Sequence, residues 1–452
     1  MASTYLTRTN GTSTEQKIFT FSAWVKRSAI STSGDKVLMA EYTDSSNRMK
    51  LQFKDDDFFE VYQVDGGNVR TQVKTNRKFR DSNGWYHMLI VCDNTQGTNT
   101  NRVKIYVNGV QETSFSVSTY PFSSTIPNIN QNSKTITIGN DDIGGSYFDG
   151  SMSHVHFIDG IAYTPSAFGE TDATTGEWKA KTSPSVTYGT NGFLILKDGN
   201  GITDQSSNSN DFTLGGGTLT DLKDNPDNVF ATFNPLARNA SNTYANGNTT
   251  YDYANNFQKS TVSTLSTNDL KIYSEFKKLR NSTMHLGIAG DTFISDGRTV
   301  TDTSASHTYD IRGHTGTIAL LSGSSDANIY ADGSDTGSDV DFTTTTNDIV
   351  MIAFDPITKK IWFGKNGTWS NSGDPSNGTN PSYTYSGTAT SDFCFAVGCE
   401  GSSSGGISAN FGNGYFGTTA VASAGTNASG NGIFEYDVPT GYTALSTKGL
   451  NL

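Results

Sequence analysis

Four kinds of residue group in this chain have types and spacings that chemistry can use: paired carboxylates, a histidine pair, acidic clusters and aromatic loops. Glu170-Thr171-Asp172 with Glu177 gathers carboxylates within a few residues. Paired carboxylates serve a glycosidase as nucleophile and acid/base when strand alternation puts both on one face. Here the gap to Glu177 is too long for one strand, and Pro165, Gly169 and Gly176 place the segment in a loop. No hydrolase is expected from it. His154 and His156 recur at the period of a strand, a spacing that can serve a metal, but the remaining histidines supply no third ligand in a zinc pattern. They read as polar residues on a solvated face, with Met152 beside them and Ser153, Val155 and Phe157 opposite. No Gly-x-Ser-x-Gly elbow or phosphate-cradling glycine loop occurs. The chain is not expected to be an enzyme.

Two acidic clusters and three aromatic loops remain. Asn140, Asp141, Asp142 and Asp149 are hard oxygen donors close in sequence, as calcium needs, and Asp332, Asp335 and Asp339 form another acidic loop. Neither has EF-hand spacing, and turn carboxylates are the plainer account, since Asp favours turns. No cofactor is expected, calcium being the only one these residues admit. Glycan binding needs aromatic faces beside amides and carboxylates. Tyr120 with Phe122, Tyr147 with Phe148, and Trp369 with Tyr383 and Tyr385 sit in loops of that mixture. They are the candidate ligand contacts, some of which must double as core or subunit contacts.

The elements that position these residues are strands. Trp85 to Asp93 is a near-continuous apolar run, followed by a turn, a β-rich run and Asn108-Gly109; Asp348 to Asp355 repeats the device and ends at Asn366-Gly367. A run of that length and composition suits a strand buried on both faces. Asn-Gly after it signals a type I′ hairpin, because both residues tolerate positive φ. Phe19, Phe21, Ala23 and Val25 alternate with Thr20, Ser22 and Trp24 along another strand. The 26 Phe, 20 Tyr and 5 Trp supply large bodies for thin cores, while 47 Gly indicate many turns. No sustained 3.6-residue period appears. The fold class is all-β, two tandem β-sandwich domains of the jelly-roll kind.

A formal net charge of −12 opposes phosphate backbones and anionic membranes, so neither nucleic acid nor membrane insertion is expected. Cys92, Cys394 and Cys399 make no disulfide framework and are expected reduced. The N-terminus has no basic or apolar leader character, and no stretch approaches the roughly 20 apolar residues that span a bilayer.

Several motifs are more specific. Ser22-Ala-Trp-Val-Lys26, Trp85-Tyr86-His87, Asn101 to Gly109, Tyr147-Phe-Asp-Gly150, Phe157-Ile-Asp-Gly160 and Phe168-Gly-Glu-Thr-Asp172 resemble the LamG-like, concanavalin A-like module of tailed-phage structural proteins, marine ones especially. Asp224 to Pro235 resembles the opening of a second module in those proteins. Asp348 to Phe354, the Asn366-Gly367 hairpin, Gly373 to Gly378, Ala409-Asn-Phe-Gly412 and Pro439-Thr-Gly-Tyr-Thr-Ala-Leu445 resemble a SPRY domain of the phage form. Tyr442 stands where Phe is commoner, and Leu452 where the family often has Pro.

The resemblance implies domains at 1–222 (LamG-like) and 223–452 (SPRY-like). It implies a virion structural protein, a tail fibre or a head fibre or decoration, made in the host cytoplasm. Such a protein would bind host-surface glycan or protein without catalysis, beside other virion proteins, as a homo-oligomer, a trimer by analogy with symmetric appendages. A purely architectural role bracing head or tail is the alternative, and a polysaccharide hydrolase the third. The resemblance also implies a calcium rim in the first module, for which Asn140, Asp141, Asp142 and Asp149 are the residues at hand.

Overall fold

The computed structural model describes residues 3–30, 33–141, 144–197, 199, 201–236, 242–253, 259–295, 311–399 and 405–451. Among the described residues the chain is strands and turns apart from the short helix Asp291–Ser295 and a few single helical turns, and it forms two compact units: Met1–Asp221 with Asn225–Asp227, and Leu222–Asp224 with Asn228–Leu452.

The first unit begins with β1 (Tyr5–Thr9), β2 (Ile18–Arg27), β3 (Lys36–Asp44), β4 (Asn47–Phe53), β5 (Phe58–Asp65), β6 (Asn68–Lys78), β7 (Tyr86–Asp93) and β8 (Val103–Val107). It continues with β9 (Val110–Gln111), β10 (Phe115–Thr119), β11 (Thr135–Ile138), β12 (Gly150–Asp159), β13 (Gly169–Thr171), β14 (Trp178–Ala180), β15 (Phe193–Ile195) and β16 (Thr213–Gly216). An eight-stranded sheet runs β10-β6-β5-β4-β3-β11-β1-β16, and a six-stranded sheet runs β15-β12-β2-β7-β8-β9. Phe19, Phe21, Ala23 and Val25 of β2 meet Met49, Leu51 and Phe53 of β4 in one core between the sheets. Each fully buried side chain of that size contributes about 1.5–3 kcal/mol.

The second unit holds β17 (Asn242–Ala245), β18 (Thr250–Tyr253), β19 (Lys259–Val262), β20 (Ile272–Lys278), β21 (Met284–Ala289), β22 (Thr317–Ser322) and β23 (Asn328–Ala331). After these come β24 (Ser334–Asp339), β25 (Ile349–Asp355), β26 (Lys360–Lys365), β27 (Thr368–Trp369), β28 (Tyr383–Thr384), β29 (Cys394–Cys399) and β30 (Gly405–Asn410). One sheet runs β17-β18-β30-β20-β25-β26-β27, with β28 also on β26 and Thr443–Ala444 parallel to β20; the other runs β19-β29-β21-β22-β23-β24. Phe276, Ile352 and Phe363 of the first sheet pack on Leu286, Leu320 and Phe395 of the second. Both units are therefore β-sandwiches, and the chain is all-β.

The two apolar runs are buried on both faces, each for an identifiable reason. In β7, Met88, Ile90 and Cys92 face the core, while Leu89 and Val91 pack beneath Phe168, Tyr163 and Tyr188. In β25, Val350, Ile352 and Phe354 face the core, while Met351 and Ala353 pack with Trp362 of β26 and with Phe434 and Tyr442 of the C-terminal segment. Buried Glu275 helps to hold that segment. Its carboxylate accepts from the backbone N–H groups of Glu435 and Tyr436, from the Tyr273 hydroxyl and from the Asn410 amide. Both hairpins turn as type I′, with Asn108 and Gly109 at φ 48° and 80° and Asn366 and Gly367 at 49° and 89°.

The structure corrects several local expectations. The register of β12 slips between Ser153 and His156, and His154 takes φ 50°. This bulge adds a residue and switches faces, so Met152 packs with Val155 and Phe157 on the core and no longer lies beside His156. Glu170 and Thr171 lie on β13, while Asp172 to Glu177 form the turn that joins it to β14, a loop as expected. The acidic stretch at Asp332, Asp335 and Asp339 is the hairpin β23–β24, not a loop. Strands β1, β6, β10 and β22 lie where none was expected. Cys92 and Cys394 are free and buried, and burial pushes the Cys394 thiol up to about 12.

Candidate functional site

The outer face of the eight-stranded sheet carries a connected array of polar side chains. On β4, Met49, Leu51 and Phe53 fill the core, so alternation turns Arg48, Lys50 and Gln52 outward. On β5 and β6 the same rule turns Glu60, Tyr62, Gln72 and Lys74 outward, because Phe59, Val61 and Val73 are core. Register then lines them into rungs: Gln52 opposite Glu60 opposite Lys74, and Lys50 opposite Tyr62 opposite Gln72.

The bonding of this face is specific. Glu60 accepts from the Gln52 amide on one oxygen and from the Gln72 amide on the other, both at 2.8 Å. Lys50 pairs with Asp141, Lys54 with Asp35 at 2.7 Å and Lys74 with Asp56 at 2.6 Å. Burial works against the Lys54 ammonium, but Asp35 outweighs it and holds its pKa up. The Arg48 guanidinium lies 6.0 Å and 5.8 Å from the ring centres of Tyr42 and Tyr62. Gln52 and Glu60 are each only 2% exposed and Asp141 is fully buried. Among the described residues, no donor reaches Gln52 Oε1, Asp56 Oδ1 or Asp141 Oδ1. An acceptor buried without a donor costs about 1–3 kcal/mol, which a bound hydroxyl or N–H recovers. This arrangement suits binding of a polar ligand. Each of its carboxylates is engaged by an amide or an ammonium.

The residues singled out from the sequence are dispersed. Tyr120 is partly buried on the first core, whereas Phe122 is 65% exposed. Tyr147 lies against Tyr5, their ring centres 6.0 Å apart, and Phe148 stacks on Phe53 and packs on the core. Trp369 packs under the C-terminal segment with Tyr273, while Tyr383 packs on the other side of the same sheet. Tyr385 is 3% exposed and bonds Asp332, so it is a core residue and offers no ring face to a ligand. Trp369, Tyr383 and Tyr385 do not form one surface.

The titratable candidates are also placed by the fold. Asp141 is taken by Lys50, Asn140 bonds the Asp141 amide with its own side chain, and burial raises the Asp149 carboxyl. Asp142 lies outside the described residues. No group of three or more metal-ligating side chains occurs among the described residues. Lys179 sits 3.0 Å from Asp172 and 3.9 Å from Glu170. Asp172 is held well below the ordinary carboxylate range by the Thr175 and Thr174 N–H groups and by Lys179.

His156 is buried, stacks on Tyr188 and bonds its hydroxyl, so it is no solvated residue. On the same outer face of the six-stranded sheet, His87 is stacked between Trp24 and Trp178. Its Nδ1 accepts from the Trp178 indole N–H at 3.0 Å, which leaves Nε2 as the protonated nitrogen facing Ser22 Oγ at 2.8 Å. Burial lowers the His87 pKa to about 3, so the ring is neutral.

Sequence reasoning missed the polar sheet face. Its signal was the alternation from Arg48 to Phe53, but the partner strand β6 reads as a polar run with Val73 as its one core residue, and Asp141 comes from 91 positions away.

Comparisons with known proteins follow the two units. Residues 1–167 match the Laminin_G_3 family model of the concanavalin A-like lectin/glucanases superfamily. No curated protein matches the chain. Among solved structures it is similar to the SPRY domain of human HERC1, at 13% identity and TM-score 0.30 over 39% of this chain and 96% of that one. It is similar to the heptameric SAP-like pentraxin of Limulus polyphemus, at 15% identity and TM-score 0.29 over 44% and 90%. It is also similar to domain 4 of AbnA, a GH43 extracellular arabinanase of Geobacillus stearothermophilus, at 21% identity and TM-score 0.25 over 33% and 64%. The family match falls within the first unit, whose eight-stranded sheet carries the polar face.

Proposed function

We propose that this chain is a non-catalytic binding protein on the exterior of a tailed-phage particle, as a tail fibre or a head fibre or decoration, and that it holds host-surface glycan or protein. The observation that carries the binding reading is the outer face of the eight-stranded sheet. There the Glu60 carboxylate is held between the Gln52 and Gln72 amides, and among the described residues no donor reaches Gln52 Oε1, Asp56 Oδ1 or Asp141 Oδ1. A match to a lectin and glucanase superfamily model over the same unit agrees with it. The absence of turnover is supported by the state of the carboxylates: Glu170 and Asp172 face Lys179, and those of the sheet face are bonded to lysines or amides. The phage setting is supported by the motif resemblance, from Phe157-Ile-Asp-Gly160 to Pro439-Thr-Gly-Tyr-Thr-Ala-Leu445.

Two measurements test the proposal. Mass spectrometry of washed particles should find the chain, and particles lacking it should adsorb poorly to the host. Normal adsorption with fragile heads or tails overturns host binding in favour of bracing. Polysaccharide incubated with the purified chain should keep its length; shortening that disappears in Glu170→Gln overturns the non-catalytic reading.

A further inference from the structure

One end of the polar sheet face differs from the rest. Register sets Tyr42 opposite Arg48, Arg48 opposite Val64 and Val64 opposite Val69, a rung that crosses β3, β4, β5 and β6. Residues directly opposite share a face, so this rung points outward with Arg48. Val64 is covered by its neighbours, whereas Val69 is 45% exposed. Lys50, Lys54 and Lys74 each have a carboxylate, but among the described residues no carboxylate pairs with Arg48 and no acceptor bonds it. The rings of Tyr42 and Tyr62 hold its guanidinium instead, a contact that uses the charge and no N–H group. Two acids at this end are engaged elsewhere: Asp44 accepts from the Ser46 N–H and the Asn47 amide, and Asp65 lies 3.8 Å from Arg70. Arg48 is therefore a half-buried, positioned cation whose planar fork of donors is unused.

Resting on the reading of this face as a binding surface, we infer that its Arg48 end docks a partner protein through one carboxylate set beside an apolar side chain. The carboxylate takes the Arg48 fork in two parallel bonds, and the apolar group lies against Val69. Tyrosine and arginine beside apolar side chains are the residue types that anchor protein interfaces. A densely charged polyanion fits less well, because one open guanidinium neutralises one charge while the net −12 of the chain repels the remainder.

The experiment is a nuclear magnetic resonance titration of the full chain with the capped peptide acetyl-Leu-Asp-Leu-amide, its neutral Asn counterpart and dextran sulfate. Binding is read twice, from the Arg48 Nε–H signal and from broadening of the peptide's own resonances, so that a variant without the guanidinium is measured too. The acidic peptide should shift the Arg48 signal to saturation, bind about tenfold tighter than the neutral one, and weaken as salt rises. Arg48→Gln should abolish that preference for the acidic peptide. Val69→Asp, at an exposed position, should weaken the acidic peptide about tenfold by removing the apolar contact and adding a like charge. An unchanged melting transition certifies each variant as folded. Equal binding of the two peptides, or acidic-peptide binding that Arg48→Gln leaves intact, overturns docking at Arg48. Dextran sulfate that shifts the Arg48 signal where the acidic peptide does not overturns the protein partner and keeps the face as a binding surface. Silence of the Arg48 signal to every probe overturns the docking point alone, since the wider reading is judged separately by adsorption of particles lacking the chain.

Discussion

Asn108 and His87 hold each other by two bonds. The His87 carbonyl accepts from the Asn108 amide at 2.9 Å, and the Asn108 side-chain oxygen accepts from the His87 amide at 2.8 Å. The second unit repeats the pair with Asn366 and Ile349, at 2.9 Å and 2.8 Å. In each unit the first residue of the type I′ turn thus reaches back to the start of the long apolar strand. The asparagine has two duties, since it also tolerates φ near +50° better than most residues.

Asn366→Ala removes the acceptor from the Ile349 amide and leaves a Cβ residue in a left-handed turn. The expected loss is about 1–3 kcal/mol of stability for the second unit. Urea unfolding followed by tryptophan fluorescence measures it, and a loss under about 0.5 kcal/mol would show the turn to be replaceable.

Glu41 and Glu275 should make the chain less stable as pH rises through mild acidity. Burial raises both carboxyls to about 7, above the ordinary glutamate value of about 4.3. Between those values the folded chain holds more protons than the unfolded one. Their stabilisation is therefore complete below about pH 4.3 and is lost as pH climbs through about 7. Glu41→Gln keeps an oxygen for the Asn10 amide and the Gln131 N–H and carries no charge. It should flatten that decline and gain roughly 2–3 kcal/mol at pH 7.5 relative to pH 4.5. Parallel pH–stability curves for parent and variant would refute it.

His87 works in the opposite sense. Its pKa is depressed by burial to about 3, so its contribution is present above about pH 6.5 and is lost as pH falls towards 3. Nitrogen-15 spectra should show one imidazole neutral from pH 8 to 5, with the proton on Nε2. Titration of that ring near pH 6.5 would mean that Trp178 does not seal it.

Arg27→Met should be among the costliest single changes in the first unit. The Arg27 guanidinium is buried over the Phe53 ring, pairs with Asp57 at 3.1 Å, and bonds the Phe79 and Ala29 carbonyls. Removing it takes one cation from Asp57, which is itself fully buried and also pairs with Arg80. A cost of about 3–5 kcal/mol is expected, read as a fall in the unfolding midpoint. Arg27→Met together with Asp57→Leu should recover part of that loss, and a double variant no better than the single one would count against charge burial as the cause.

Much of the architecture was legible because it is local. Phe19 to Val25 alternates, and the apolar, β-branched runs of β7 and β25 suit strands covered on both faces, although periodicity alone does not separate such a run from a buried helix. The functional surface was harder to read. The aromatic residues chosen from loops split between core and surface, as Tyr385 and Phe122 show, because an aromatic ring looks the same in sequence whether it anchors a loop or faces solvent. The histidine pair misled because one added residue at His154 changes face, and no pattern of residue types announces a bulge.

What the residues determined alone is the set of short-range facts: strand periods, the Asn-Gly turns, the charge, the abundance of rings and two successive sandwiches. These depend on neighbours a few positions apart, where alternation and positive φ leave few choices. The tertiary structure decided which polar side chains share a face. Strand register set Gln52 opposite Glu60 with Gln72 on the neighbouring rung, and a loop beyond β11 carried Asp141 to Lys50. Such meetings are fixed by pairing and packing across distant segments, and no local preference encodes them.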